Sequence, residues 1–294
     1  TTINLNGGTI DLSGAATKAV SITATGGTID LKGGGATVSN ILTVGGAVTL
    51  DSSGGGNNGI ITNVGTVTTT GAPAATGGAI LLKAGSGNGT ITTGALTSNG
   101  GAGGGSAGSI TANAGQNIAT GAISAVGNGV GNGGAISLTS TADLRVAGSI
   151  SSEATGSGTG GNISLTYKSN TATPLQFVVG NNTGGSFVNG FVSANSNTGN
   201  AGTVLMSNTD GTDMFVSLDP TNLAGKGISA SNTAGSLKTL TFTPVAGKSI
   251  TIQQTSAGAA QLTGQVTTST AKNVTVNMTN DTAPTTITLG AITA

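Results

Sequence analysis

The sequence predicts an all-β chain wound into a right-handed parallel β-helix, a solenoid with longer, irregular rungs in the C-terminal part. Three observations lead there: apolar residues recur in fixed columns, glycines separate very short apolar packets, and no stretch carries a helical stripe. Repeats are sought first, because a missed period misassigns the whole fold. Ile3, Ile22, Ile41 and Ile60 keep a constant 19-residue step, as do Ile10, Ile29, Val48 and Val67, and Leu12, Leu31 and Leu50. Gly7-Gly8, Gly26-Gly27 and Gly45-Gly46 keep the same step, which degenerates to Val64-Gly65. Within a unit apolar residues alternate, as Ile10 and Leu12 do, because successive strand side chains point to opposite faces. The Gly pairs fall where the chain turns and positive φ is cheap. Strands this short between glycine corners cannot build an ordinary sandwich. Coiled so that each unit stacks on the last, they place Ile on Ile at about 4.8 Å. Without a 3.6-residue apolar stripe, essentially no α-helix is expected.

Residues 1–72 therefore read as a β-solenoid with 19-residue rungs. Residues 73–165 read as a solenoid with ~27-residue rungs and Gly-rich loops. There Gly78-Ala79-Ile80-Leu81-Leu82 recurs as Gly108-Ser109-Ile110, Gly134-Ala135-Ile136-Ser137-Leu138 and Gly161-Asn162-Ile163-Ser164-Leu165, while Leu96, Ile123 and Ile150 keep the 27-residue spacing. Residues 166–294 read as an irregular solenoid continuation or an appended β module, a β-sandwich being the runner-up. Every aromatic and every Met lies in that part, yet strand signals persist at Leu240-Thr241-Phe242, Ile250-Thr251-Ile252, Val274-Thr275-Val276 and Ile287-Thr288-Leu289. Thr1 already lies in a strand-like segment with no signal peptide, as expected for a processed part of something longer.

Composition excludes several functions. The 294 residues include 54 Gly, only 6% charged residues and no Cys, His or Trp; average proteins carry about a quarter charged residues. Disorder goes with low hydrophobicity and high charge, whereas 35% of this chain is hydrophobic and its mean hydropathy is +0.20. Nine basic and nine acidic residues cancel, and no basic stripe suited to nucleic acid appears. No apolar run reaches the length of a membrane helix. Absence of Cys removes any disulfide framework.

The Gly-Gly-x-Ile-x-Leu units and the later Gly-Asn-Gly-Gly-Ala-Ile-Ser-Leu at 131–138 resemble the β-helical shaft of filamentous haemagglutinin-like exoproteins, the large adhesins of two-partner secretion. The likeness covers residues 1–165 and continues in style beyond. No Asn-Pro dipeptide occurs, so the family's amino-terminal secretion domain is not represented. The resemblance implies export, an extended shaft and adhesion, and no catalytic residue.

Candidate chemistry is sparse. Without His there is no Ser-His-Asp triad and no His-based zinc site. Glycosidases need two carboxyl groups about 5–10 Å apart; in the 19-residue register Asp11 and Asp30 stack one rung apart, and they read as a solvated ladder continued by Thr49. Ser13, Lys32 and Asp51 form the next column, with Lys32 and Asp51 as an exposed ion pair worth about 0.5 kcal/mol. Asp143, Arg145 and Glu153 suggest either a lyase base beside calcium or a solubilising face. Asp210 and Asp213, with Asn208 and Asp219, suggest an acidic calcium loop without EF-hand spacing. The Gly-rich stretches 100–105 and 156–161 lack the Lys-Ser/Thr and helix of a phosphate loop. The sequons Asn162-Ile163-Ser164 and Asn273-Val274-Thr275 are expected by chance in so Asn-rich a chain. Thr66-Val67-Thr68 suggests an ice-binding face, but its 19-residue columns pass through Ala47, Thr49, Thr28 and Asp30.

The expected protein is thus an extracellular structural or adhesive surface protein, a shaft or filament-forming subunit without catalysis, cofactor or metal. Its expected partners are further copies of itself, head to tail, and extracellular polysaccharide, with no nucleic acid and no membrane insertion. A carbohydrate-binding or polysaccharide-degrading β-helix is the alternative, ice binding the third. Roughly 12 rungs at about 4.8 Å would give a rod of about 60 Å.

Overall fold

A computed structural model describes residues 8–31, 38–54, 57–168, 176–181, 184–254, 256–259, 262–279 and 288–292. Every strand pairing is parallel, and apart from one 3₁₀ turn at Pro220–Asn222 the described residues contain no helix. The chain is a parallel β-solenoid with three strands to a rung. One face is a ten-stranded sheet running from Val20–Thr23 to Thr288–Ile292; two further faces make up an eighteen-stranded sheet, joined where Ile60–Thr68 spans their corner. Ten strands at about 4.8 Å give a stack of roughly 43 Å, shorter than expected because each rung uses more chain.

The 19-residue rung of residues 1–72 is corrected. Val20 stacks on Val48, Ile29 on Ile61 and Ile10 on Ile41, so one rung takes up roughly one and a half repeat units. Ile22 stacks on Leu50 rather than on Ile41 and is only half-buried, while Ile29 is fully buried. The physical reason is geometric. Each repeat unit carries two strands, but closing three faces takes three. Three units therefore make two turns: Ile10, Ile41 and Val67 form one stack, and Val67 is also the third repeat of Ile10 in the sequence. Ile3 lies outside the described residues.

The 27-residue spacing beyond Pro73 is the true rung. Ile136 stacks on Ile163, and Leu96, Ile123 and Ile150 form one column. In this block a rung holds three strands in one period, as in Ile136–Ser140, Leu144–Val146 and Ile150–Ser151. Inward Ile and Leu are buried down the whole column, each worth about 1.5–3 kcal/mol of transfer free energy before the loss of chain entropy is subtracted.

The solenoid continues through the carboxy-terminal part on longer rungs, with Ile163 stacked on Val204 and Val204 on Leu240. Part of the extra length is an inserted strand. Phe177–Val179 and Ser186–Val188 pair with each other, between Leu144–Val146 on one side and Met214–Leu218 on the other. One face thereby gains a strand, about 4.8 Å of height, that its neighbours lack. Larger side chains fill the interior here: Tyr167, Phe177, Met206, Met214 and Phe242 are all buried, with the Tyr167 and Phe177 rings 4.6 Å apart. That accounts for five of the nine aromatic and Met residues in this part; Phe187 lines an outer groove and Phe191 packs under Lys226.

Side chains at the corners sew rungs together. The carboxamide oxygens of Asn40, Asn99, Asn132, Asn162 and Asn195 each accept a backbone N–H one rung on, from Thr66, Val126, Thr159, Thr203 and Ser231, at 2.8–2.9 Å. Each is worth about 0.5–1.5 kcal/mol.

Candidate functional site

Asp11 and Asp30 do not share a column. Asp11 pairs across to Leu42 on one face and Asp30 to Thr62 on another. The Ser13 hydroxyl and N–H hold the Asp11 carboxyl below its ordinary range, and Asn63 donates to Asp30 at 3.0 Å. The stacked carboxylate pair that a glycosidase reading requires is therefore absent there. Lys32 lies outside the described residues. Asp51 stacks instead beside Lys83. Partial burial opposes ionisation of Asp51, but the Ser53 hydroxyl and N–H, with Lys83 nearby, hold its carboxyl below the ordinary range.

Asp143, Arg145 and Glu153 split into two sites. Asp143 is fully buried at the corner before Leu144–Val146; its N–H donates to Asn117, and its carboxylate takes the Arg145 guanidinium at 2.7 Å. Arg145 also donates from Nε to the Gly185 carbonyl. The guanidinium thus ties the inserted strand to the rung below. Glu153 follows Ile150–Ser151 on the third face, where it meets Lys226 Nζ at 2.8 and 3.0 Å and accepts the Ser193 hydroxyl. Lys226 Nζ sits 4.5 Å from the Phe191 ring centroid, a cation–π contact that sequence reading missed because Lys226 and Glu153 are far apart in the chain.

The acidic loop makes local hydrogen bonds through one oxygen of each carboxylate, while Asp210 Oδ2 is buried without a hydrogen-bond partner among the described residues. Asp210 Oδ1 accepts the Thr212 N–H and hydroxyl and the Asn208 amide; Asp213 Oδ1 accepts the Ser249 N–H one rung on, and Asp219 caps the 3₁₀ turn through Thr221. Asp213 thus does the work of the corner asparagines. Among the described residues no three of His, Cys, Asp and Glu converge on one point.

Two open grooves mark the sides. One of about 330 Å³ is lined by Glu153, Thr155, Asn195 and Asn197; another of about 320 Å³ runs past Thr92, Ala119, Arg145 and Phe187. More extensive are the hydroxyl columns. Thr68, Thr97, Ser124, Ser151, Ser193, Ser229 and Thr263 stack without interruption on the third face, where Ser193 and Ser229 are buried beneath the Glu153–Lys226 pair. On the ten-stranded sheet the outward positions from Thr111 and Asn113 to Thr267 carry no charge, and run through Ser137, Thr139, Ser164, Thr166, Leu205, Ser207, Thr241 and Thr243. The 19-residue columns through Thr66 and Thr68 are not stacks, so the ice-binding argument moves to this sheet.

Tyr167, the sole tyrosine, reports on the core. Burial first, and the Asp210 carboxylate second, push its hydroxyl above the ordinary phenol range. The folded chain therefore holds this proton more tightly than the unfolded one. Its contribution to stability is complete below about pH 10 and is lost as pH rises above that. Alkaline titration should show tyrosinate absorbance appearing together with loss of circular dichroism. Ionisation of Tyr167 in a still-folded chain would contradict its burial.

Comparison with protein family models, with curated proteins and with solved structures finds no match. No described helix is long and apolar enough to cross a membrane.

Proposed function

We propose that this chain is a structural and adhesive segment of an exported surface protein, a shaft whose function is its length and its repetitive sides. The observation that carries this is the parallel ladder from Thr9 to Ile292, whose ten-stranded sheet turns uncharged hydroxyl and amide side chains outward from Thr111 to Thr267. The likeness of the repeat units to filamentous haemagglutinin-like shafts supports the same reading, and with it an extracellular location. The carboxylates that a polysaccharide-degrading β-helix would need are dispersed over different faces, each with its own donor or cation. Purified chain should be retained on immobilised acidic or neutral polysaccharide without turning it over. Release of reducing or unsaturated ends, lost in Glu153→Gln, would overturn the reading in favour of an enzyme.

Ice binding is a second reading, favoured by the neutral hydroxyl positions on the ten-stranded sheet, spaced about 4.8 Å between rungs and about 6.7 Å along each strand. It predicts thermal hysteresis that Thr166→Lys abolishes.

A further inference from the structure

We infer that Asn58 is a site of spontaneous covalent modification, where attack by the Gly59 nitrogen expels the side-chain amide and a carboxylate takes its place. Asn-Gly dipeptides occur seven times, at Asn6, Asn58, Asn88, Asn99, Asn128, Asn132 and Asn189. All share the same intrinsic chemistry, because glycine has no side chain to shield its nitrogen from the preceding Cγ. Asn6 lies outside the described residues. The fold sorts the other six.

In four of them the glycine nitrogen is already engaged. Gly100 donates to the Val126 carbonyl at 2.9 Å, Gly129 to the Thr155 hydroxyl at 3.1 Å, Gly133 to the Thr159 carbonyl at 2.9 Å and Gly190 to the Val188 carbonyl at 2.9 Å. Three of the four carboxamides are held as well. Asn99 and Asn132 each accept a backbone N–H of the next rung at 2.8 Å, and Asn128 donates to the Gly100 carbonyl. Attack by such a nitrogen must wait for the corner to open locally.

Gly59 and Gly89 differ. Among the described residues neither N–H has an acceptor, and Asn58 and Asn88 are both exposed. The two asparagines stack one rung apart, and Asn88 Nδ2 donates to Asn58 Oδ1 at 3.0 Å. That donor draws charge from the Asn58 carbonyl and steadies the oxyanion formed when a nucleophile adds to Cγ. No donor among the described residues reaches Asn88 Oδ1, so Asn58 is the better electrophile of the pair.

The step balances with water alone. The Gly59 nitrogen gives its proton to hydroxide and bonds to Asn58 Cγ; the Cγ–Nδ2 bond then breaks, and ammonia leaves with a proton taken from water. A further water opens the five-membered imide at either carbonyl. Breaking the bond from Cγ to nitrogen restores the chain with aspartate at 58. Breaking the bond from the main-chain carbonyl to nitrogen gives isoaspartate, with one more methylene in the backbone. The corner has no room for it, since a Cβ at Gly59 would stand 1.7 Å from the Ser52 carbonyl oxygen. Isoaspartate should therefore lower the melting temperature.

Incubating the folded 294-residue chain in mildly alkaline buffer tests this, read by peptide mass spectrometry and isoaspartyl methyltransferase labelling. Asn58 should convert at least about tenfold faster than Asn99, Asn128, Asn132 or Asn189, which react only through opened corners. In urea that advantage should vanish, because all the dipeptides are then equally free. Asn88→Ala, with its fold checked by circular dichroism, should slow Asn58 several-fold. Equal rates at Asn58 and Asn99 in the folded chain would overturn the inference, as would an Asn58 that survives folded yet reacts in urea. An Asn58 rate that Asn88→Ala leaves unchanged or raises would overturn the part given to Asn88.

Discussion

Gly134→Ala will destabilise the chain by about 3 kcal/mol or more, while Gly14→Ala will leave it almost unchanged. Gly134 belongs to a column that stands two positions before the first inward residue of six successive strands of the ten-stranded sheet: Gly46, Gly78, Gly108, Gly134, Gly161 and Gly202. A Cβ at Gly134 would stand 1.9 Å from the Gly108 carbonyl oxygen, and one at Gly161 2.3 Å from the Gly134 carbonyl oxygen. At Gly134 backbone lies on backbone, so no flexible side chain can yield. A Cβ at Gly14 meets nothing within 4 Å. Equal melting temperatures for the two variants would mean that the column tolerates a methyl group, and that the rungs are not in this contact. Loss of about 3 kcal/mol is a large share of the 5–15 kcal/mol that holds a typical domain.

The glycine column also separates what the sequence reveals from what it hides. Sequence alone makes the glycine pairs of the first block corners with positive φ, and half of that is right: Gly26 and Gly45 have φ of 63° and 68°. The second member does something else, since a Cβ at Gly46 would stand 1.8 Å from the Lys18 carbonyl oxygen. Close approach leaves the same letter as a turn. The parallel stack itself is legible, because inward Ile and Leu must recur wherever rungs superpose. Its period is legible only where one period equals one rung, as from Ile136 to Ile163. The inserted strand is not legible. Phe177–Val179 and Ser186–Val188 look like ordinary rung strands, and nothing local says that they pair with each other. Site residues fare likewise. Asp143 and Glu153 are near neighbours in sequence, yet a single corner sends them to different faces, one to Arg145 and the other to Lys226.

Two adjacent isoleucines decide between the 19-residue register and the three-faced rung. At 19-residue steps Ile60 continues the column of Ile22 and Ile41 and belongs in the core. In the folded chain Ile60 is an outward residue beside Thr28, half-buried, whereas Ile61 has no exposed surface and lies between Ile29 and Ile91. Truncating Ile61 empties part of a stack that cannot collapse, because its neighbours are held by the ladders of the rungs above and below. Ile61→Ala should therefore cost about 2–5 kcal/mol. Ile60→Ala should cost under about 1 kcal/mol, since only part of its side chain leaves water on folding. The chemistry of the two changes is identical, so intrinsic strand propensity nearly cancels between them. Urea unfolding with a common slope gives both values. The reverse order would restore the 19-residue rung and with it a two-strand coil. The expected order fixes three strands to a rung, the geometry that keeps Asp11 and Asp30 on separate faces and leaves the flanks to hydroxyl groups.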